Sequence, residues 1–288
     1  MRRFVKSFGD TTAPYTMKFN GTKILTGMQK RSVKVAISGK GGVGKTTLAG
    51  TLARALARAG YEVIAIDADP AMNLASALGV SEVPTPISEL KDLIYERAGG
   101  YGGVYKLNPK VDDVVMRYSV IAPDGVRLLV MGTVEKGGGG CVCPENAFLR
   151  ALLRHVIFRG KVVILDMEAG IEHLGRGTAR GVDLMLAIVE PGMRSVETAK
   201  RIKKLAADIG VRNVVAAINK ASADEGVIEI LKSKLERELQ MPVIGVIPYD
   251  DALIKADIEG RAPIDVGGKA VEKIYEIKER IFSYVGSR

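Results

Sequence analysis

The segment SGKGGVGKTT, from Ser38 to Thr47, has the residue types and spacing of a phosphate-binding loop. It contains the pattern G-x-x-x-x-G-K-[ST], whose glycines let the backbone turn so that successive N–H groups surround a polyphosphate. A helix after the loop would add the positive end of its dipole. We therefore expect Lys45 to contact the β- and γ-phosphates and the Thr46 hydroxyl to bind Mg²⁺. The residues of this loop expected to bind the nucleotide are Gly39, Lys40, Gly41, Gly42, Val43, Gly44, Lys45, Thr46 and Thr47.

Two aspartates follow apolar runs that read as buried strands. Asp69, in the sequence DADP, comes after the run 62–66, and Asp166 directly follows the run 161–165. Because ligands of open α/β sheets bind at the carboxyl ends of the strands, both carboxylates are well placed beside the phosphate loop. Asp166 fits the position of a carboxylate that supports Mg²⁺. Asp69 is placed for catalysis, although a turn aspartate could stand there too.

The two cysteines of the chain, Cys141 and Cys143, are separated by one residue and follow four consecutive glycines. Pro144 is a suitable first residue for a helix over 144–158, and a helix N-terminus favours the thiolate form of a nearby cysteine. A C-x-C pair can offer two thiolates to a metal but cannot complete a four-coordinate site. A symmetric dimer would supply four sulfurs. A reduced, metal-free pair is the alternative.

Around these residues, apolar runs alternate with helical patterns. This predicts a single doubly wound α/β domain with a mostly parallel sheet and helices on both faces. The expected strands are 33–37, 62–66, 161–165, 184–189, 213–218 and 243–247, with a hairpin of arms 114–121 and 126–131 about Pro123-Asp124-Gly125. The expected helices are 48–59, 88–97 with Ser88 as N-cap, 144–158, 195–209 with Ser195 as N-cap, and 271–285.

The basic charge of the chain is concentrated at its start. The 288 residues carry a net charge of +9. Residues 1–31 hold seven basic side chains and one acidic one, a net +6, which leaves +3 for 32–288. We therefore expect a peripheral or flexible N-terminal extension over 1–31, with Asn20-Gly21 as a possible hairpin turn, and an ATPase domain over 32–288. We expect no nucleic-acid partner.

Membrane association and secretion are not expected either. The chain has no apolar run long enough to span a bilayer, and its N-terminus lacks the apolar region of a secretory signal, so a cytoplasmic location is expected. A stripe at helical spacing near the end of the chain could bind a membrane surface, but such stripes more often pack on a sheet. The stripe consists of Val271, Ile274, Ile277, Ile281 and Val285.

Three features together resemble one family. Lys40 is a second lysine within the loop KGGVGKT, the cysteines lie in a glycine-rich C-x-C segment, and Asp166 opens the stretch DMEAGIEHLGRG. This combination resembles the carbon monoxide dehydrogenase maturation ATPases, the CooC family. That family lies within the MinD/ParA/nitrogenase iron protein class of P-loop ATPases with a deviant Walker A motif. The resemblance covers roughly residues 33–285.

The resemblance implies a homodimer that closes on ATP and Mg²⁺. Lys40 would reach the partner's ATP, Lys45 would act on the phosphates, and Asp69 would position or deprotonate the attacking water. It also implies Ni²⁺, or Zn²⁺, bound by Cys141 and Cys143 at the dimer interface. The client would be a nickel–iron–sulfur carbon monoxide dehydrogenase.

A further expectation concerns the nucleotide base. The resemblance implies that Asn219 hydrogen-bonds the base, and Pro248 would flank it. The sequence NKA resembles the NKxD signature of GTPases without its aspartate, so adenine is favoured over guanine.

Two other functions remain open from the residues. One is a ParA/MinD-type positioning ATPase, which would respond to DNA or lipid and would not need its cysteines. The other is an iron–sulfur electron carrier like the nitrogenase iron protein, whose subunits share a cluster. The cysteines of that protein lie far apart in sequence, whereas Cys141 and Cys143 are one residue apart.

Overall fold

The computed structural model describes residues 16–19, 22–25, 32–99, 106–132, 144–159, 162–168, 181–221 and 224–286. The chain separates into two units, Met1–Arg31 and Ser32–Arg288. In the first unit, β1 (Thr16–Phe19) and β2 (Thr22–Leu25) pair in antiparallel fashion, with Phe19 opposite Thr22. This is the pairing that a hairpin about Asn20-Gly21 requires.

The second unit is built on one sheet. Its strands are β3 (Val33–Gly39), β4 (Val63–Ala68), β5 (Val120–Ile121), β6 (Arg127–Val130), β7 (Val162–Met167), β8 (Leu184–Val189), β9 (Val214–Ala221) and β10 (Val243–Pro248). Within the described residues the strand order is β10-β9-β8-β3-β7-β4-β6-β5, and every pairing is parallel except that of β5 with β6. The predicted fold class is confirmed.

Helices cover both faces of this sheet. They are α1 (Lys45–Arg58), α2 (Leu74–Leu78), α3 (Lys91–Ala98), α4 (Val114–Tyr118), α5 (Pro144–Arg159), α6 (Met193–Ile209), α7 (Glu225–Ser233), α8 (Asp251–Ile258), α9 (Pro263–Val266) and α10 (Lys269–Gly286). Alternate strand residues point to opposite faces, so Val163 and Leu165 of β7 join one hydrophobic cluster while Val162 and Ile164 join the other. This explains why the buried strands are apolar throughout rather than alternating.

The apolar stripe of α10 packs on the sheet. Val271, Ile274, Ile277 and Ile281 are at most 4% exposed, and Tyr61 stacks on Phe282 with ring centroids 5.0 Å apart. The prediction that this stripe belongs to the core is therefore confirmed. Among the described residues, no helix combines the length and the apolar character that crossing a membrane demands.

The predicted strand over 114–121 is wrong for most of its length. Residues 114–118 form α4, and only Val120 and Ile121 pair with β6. The apolar positions Val111, Val114, Val115 and Tyr118 follow the i, i+3, i+4, i+7 spacing of a helix face and pack into the core. The prediction failed because valine is a β-branched residue that favours strands, and this preference was given more weight than the helical spacing. The turn about Asp124 does exist, with a left-handed φ of 60° at that residue.

Both predicted serine caps are also wrong. Ser88 is buried in a short 3₁₀ turn, Ile87–Glu89, ahead of α3. Ser195 lies within the first turn of α6, which begins at Met193, and its Oγ accepts a hydrogen bond from the Glu190 N–H at 3.4 Å. In both places a helical turn begins before the serine. The serine side chain is therefore buried within the turn and does not cap the helix N-terminus.

Candidate functional site

The phosphate loop joins the end of β3 to the start of α1 and passes close to two neighbouring strands. A Cβ at Gly39 would lie 2.6 Å from the carbonyl oxygen of Ile188 in β8. Gly44 has a left-handed φ of 90°, and a Cβ there would lie 2.3 Å from Nδ2 of Asn219. Only glycine fits these two positions, and the loop therefore has the tight course that the sequence pattern predicts.

Lys45 points into the site. Its side chain is 5% exposed, and its Nζ lies 3.3 Å from the carbonyl oxygen of Lys40 and 3.5 Å from Oδ2 of Asp69. Lys40, by contrast, is exposed. The two lysines therefore differ in exposure, because Lys45 faces the pocket of its own chain and Lys40 is exposed to solvent. The predicted role of Lys40 stays a prediction.

Asp166 presents a buried carboxylate with free acceptors. It is fully buried, and neither carboxylate oxygen has a hydrogen-bond partner among the described residues. Burial raises the pKa of Asp166 to about 7, although the nearby Thr46 hydroxyl favours the charged form. A buried carboxylate with free oxygens beside a threonine hydroxyl is a donor set that suits Mg²⁺. The sequence placed Asp166 directly after the strand, whereas β7 continues to Met167, so that Asp166 is its second-last residue.

Asp67 is a second buried carboxylate, to which the sequence analysis gave no role. It lies on β4 directly beside Asp166 in the strand register. Its Oδ1 accepts the N–H of Asp69 at 3.1 Å, and its Oδ2 accepts the N–H of Leu74 at 2.9 Å. Burial raises the pKa of Asp67 to about 6 despite these two bonds. The signal that identified Asp166, an aspartate ending an apolar strand, applied equally to Asp67.

Lys45 and Asp69 line one open pocket of about 820 Å³, whereas the fully buried Asp67 and Asp166 are not part of its lining. The predicted site residues that line it are Gly41, Gly42, Gly44, Lys45, Thr46, Thr47, Asp69, Asn219 and Pro248. The sequence analysis missed Lys220, whose Nζ donates to the carbonyl oxygen of Gly42 at 2.7 Å. It also missed the wall contributed by Leu253, Arg261 and Pro263.

Asn219 donates a hydrogen bond to the backbone of the phosphate loop. It is 8% exposed, and its Nδ2 donates a hydrogen bond of 2.7 Å to the carbonyl oxygen of Val43. One amide hydrogen and the amide oxygen remain for a ligand. The predicted contact of Asn219 with the base stays a prediction.

The cysteines Cys141 and Cys143 lie outside the described residues, and so does the stretch from Ala169 to Gly177. The described chain stops at Gly132, at the carboxyl end of β6, and resumes at Pro144, the first residue of α5. Within the ranges that the structure describes, no cluster of three or more histidine, cysteine, aspartate or glutamate side chains could hold a metal ion. The predicted cysteine metal site stays a prediction.

Comparison with known proteins gives a consistent result. A family described as the CobQ/CobB/MinD/ParA nucleotide binding domain matches residues 34–264. The chain is 48% identical over 260 residues to an uncharacterized ATP-binding protein of Methanocaldococcus jannaschii, covering 88% of this chain and 97% of that protein. It is 44% identical over 264 residues to the carbon monoxide dehydrogenase accessory protein CooC of Rhodospirillum rubrum, covering 88% of this chain and 98% of CooC.

Solved structures agree on the fold. The MinC:MinD cell division complex of Aquifex aeolicus matches with a TM-score of 0.64 at 22% identity, over 87% of this chain and 96% of that one. A ParA family ATPase of Chlorobium tepidum matches with a TM-score of 0.65 at 16% identity, over 86% and 98%. At these identities the likeness concerns the fold alone.

Proposed function

We propose that this chain, which belongs to the CobQ/CobB/MinD/ParA nucleotide-binding family and to its CooC-like members, is an ATP-hydrolysing factor that helps insert nickel into carbon monoxide dehydrogenase. The observation that carries the proposal is that Lys45, Thr46 and Asp69 line one pocket, while the buried, partnerless carboxylate of Asp166 lies beside Thr46. The similarity to CooC supports the choice of client, and it accompanies the C-x-C pair Cys141 and Cys143.

The arrangement of the pocket supports phosphoryl transfer to water. Thr46 and Asp166 would hold Mg²⁺, which neutralises charge that develops on the phosphates. Lys45 now contacts Asp69 and the carbonyl oxygen of Lys40, and a bound triphosphate would replace those contacts. That exchange would release the Asp69 carboxylate to orient the attacking water and accept its proton.

A dimer supplies the rest of the proposal. The exposed Lys40 of each chain would contact the ATP of its partner, so that ATP favours the closed dimer. The closed dimer would bring Cys141 and Cys143 together with the same pair of the second chain, which gives four thiolates for one Ni²⁺ or Zn²⁺ ion. Nickel is the cargo here, and hydrolysis would reopen the dimer and release it to the client.

The test is a metal titration of the reduced, metal-free protein with Ni²⁺ and Zn²⁺, with and without a non-hydrolysable ATP analogue. We expect one metal ion per dimer, tighter binding with the analogue, and loss of binding in Cys141→Ser and Cys143→Ser. Lys45→Ala is the matched control, because it keeps both cysteines but should lose the effect of the nucleotide. Metal binding that does not depend on the cysteines, or on the nucleotide, would contradict the proposal.

A ParA/MinD-type positioning ATPase is the second candidate, because the family that matches residues 34–264 includes MinD and ParA. It predicts that DNA or lipid vesicles stimulate hydrolysis and that Cys141→Ser is without effect. The buried stripe of α10 counts against membrane binding through that helix. The iron–sulfur carrier predicts visible absorption of the anaerobically purified protein, which the metal delivery proposal does not.

A further inference from the structure

The buried side chain of Asp67 accepts hydrogen bonds from the backbone of the turn that follows β4. Asp67 is fully buried, and its two carboxylate oxygens accept the N–H groups of Asp69 and Leu74, which begin and end the segment leading from β4 to α2. Both bonds are to the backbone, so they fix the course of the segment rather than one side chain. Asp69, the proposed water-orienting residue, is the first residue of that segment.

The turn itself carries strain. Met72 has a left-handed φ of 50°, which is unfavourable for a residue with a side chain. The Met72 N–H donates to the carbonyl oxygen of Asp69 at 3.0 Å, and the Ala71 N–H donates to Oδ1 of Asp69 at 3.0 Å. Strained backbone of this kind persists only where its surroundings determine it. The Asp67 carboxylate stabilises this conformation, because it accepts a backbone N–H at each end of the turn.

A comparison with the neighbouring Asp166 shows how the hydrogen bonding of Asp67 differs. Asp67 and Asp166 stand side by side in the register of β4 and β7, and both are fully buried. Neither oxygen of Asp166 has a partner among the described residues, whereas both oxygens of Asp67 are occupied by N–H groups. One carboxylate is therefore free for a cation, and the other is committed to the backbone.

We propose that Asp67 is a positioning residue, which sets the place of Asp69 in the pocket by clamping the turn from Asp69 to Leu74. The inference rests on the proposed ATPase function and deepens it. It assigns Asp67 no contact with the substrate. Its contribution to hydrolysis passes through Asp69, and removing the clamp has no further effect once Asp69 has lost its carboxylate.

A double-mutant cycle tests this. Asp67→Asn, Asp69→Asn and the double variant are compared by single-turnover hydrolysis of Mg-ATP with enzyme in excess, together with the affinity for Mg-ADP and the Mg²⁺ concentration for half-maximal rate. We expect Asp69→Asn to slow hydrolysis by about 10²-fold or more, as for loss of a general base. Asp67→Asn should slow it by about 10²-fold, as for a misplaced catalytic group. The double variant should match Asp69→Asn, with Mg-ADP affinity unchanged.

Other outcomes would overturn the inference. If Asp67→Asn slows hydrolysis as much in the Asp69→Asn background as in the wild type, Asp67 does not act through Asp69. If its main effect is a higher Mg²⁺ requirement, Asp67 is a metal ligand instead. A wild-type protein that hydrolyses no ATP would overturn the proposed function as well, whereas an active wild type with an additive cycle overturns the inference about Asp67 alone.

Controls separate positioning from folding. Asp183→Asn is the matched control, because Oδ2 of Asp183 accepts the Lys34 N–H at 2.8 Å near the amino ends of β3 and β8, away from the phosphate loop. It should leave the hydrolysis rate unchanged. Asp67→Ser is a smaller second variant that repeats the cycle if Asp67→Asn does not fold. Hydrogen exchange should show faster exchange at the amides of Asp69 and Leu74 in either Asp67 variant, and unchanged protection there would contradict the clamp.

Discussion

Helix α1 carries a cluster of charged side chains at each end, and the two clusters are built differently. At its first turn, Lys45 faces Asp69 and Asp166, and the carboxylate oxygens of Asp166 lack partners within the described part of the chain. At its last turns, Arg54 and Arg58 are fully engaged by carboxylates that come from distant segments. We call Lys45, Asp69 and Asp166 the open cluster, and Arg54 and Arg58 with Asp124 and Asp265 the closed cluster.

The closed cluster joins three parts of the fold. Arg54, whose side chain is 4% exposed, donates from Nε to Asp124 at 2.7 Å and from Nη2 to Asp265 at 2.9 Å. Arg58 contacts the same two carboxylates at 3.0 and 2.9 Å. Arg54 holds the pKa of Asp265 below its usual range, while burial raises the pKa of Asp166 to about 7. Removing one partner of a buried charge pair is destabilising, whereas a buried carboxylate without a partner is a candidate ligand-binding group.

The largest expected effect comes from removing the cation of the open cluster. Lys45→Ala should lower the rate of ATP hydrolysis by about 10³-fold or more, as for loss of a cation that stabilises a transferring phosphoryl group. The free energy of unfolding without nucleotide should change by no more than about 1 kcal/mol, because a lysine at a helix N-terminus opposes the helix dipole. Lys34→Ala, at the start of β3, is the control. Hydrolysis at the wild-type rate in Lys45→Ala would contradict this account of the open cluster.

The closed cluster should behave in the opposite way. Arg54→Met removes the buried partner of Asp124 and Asp265 and should lower the free energy of unfolding by about 1.5–3 kcal/mol, as for loss of hydrogen bonds to charged groups. Arg58→Met is the matched control, since the Arg58 side chain is 36% exposed and its loss should cost at most about 1 kcal/mol. Denaturant unfolding measures both variants.

Hydrolysis should distinguish the closed cluster from the open one as well. At a temperature where Arg54→Met is folded, its rate should be close to that of the wild type. A large loss of activity in folded Arg54→Met would show that the closed cluster also shapes the pocket, which is lined by Pro263, the first residue of α9.

The open cluster could be predicted from the sequence much better than the closed one. The phosphate loop, its flanking strand and helix, and Asp166 follow from local patterns, because each is a short motif between a buried strand and a turn. The partners of Arg54 do not, since Asp265 lies 211 residues away and neither residue stands in a recognisable motif. The pairing of Asp67 with Asp166 likewise depends on strand register, which the sequence does not show.

The same limit explains the other discrepancies. Asn219 and Val43 are 176 residues apart, and their contact follows from the order of β3, β8 and β9 in the sheet. The error over 114–121 has a local cause. Valine favours strands, yet the valines of this segment lie on the buried face of a helix. Patterns in the sequence therefore located the polar residues of the candidate site, while tertiary contacts decide which of their side chains have hydrogen-bond partners.

The two clusters should also respond to pH in opposite directions. The pKa values of Asp166 and Asp67 are raised in the folded protein, to about 7 and about 6, from an ordinary 3.8. Their protonated forms are favoured by folding, so the stability they provide is present at low pH and is lost as pH rises through 6 to 7. The pKa of Asp265 is lowered, so its contribution is present above 3.8 and is lost as pH falls through the lowered value.

Thermal melts of the nucleotide-free protein test this prediction. The melting temperature should fall between pH 5 and pH 8, and Asp166→Asn should flatten that decline. Asp265→Asn should instead remove part of the loss of stability below pH 4. A melting temperature that rises from pH 5 to pH 8 would contradict the raised pKa values of the open cluster.

The smallest effect is expected at the middle of α1, between the two clusters. A Cβ at Gly50 would lie 2.8 Å from the backbone of Ala77 in α2, whose residues Ser76 and Ala77 line the pocket. Gly50→Ala gains up to about 1 kcal/mol of helix propensity, but overpacking costs about 1–3 kcal/mol, so a net loss of about 1 kcal/mol is expected. Because α2 must shift, the KM for ATP should rise severalfold at unchanged kcat. Thr51→Ala, the next residue of α1, should leave the KM unaltered. A more stable Gly50→Ala protein would show that α2 moves freely against α1, and that the wall of the pocket is independent of the helix joining the two clusters.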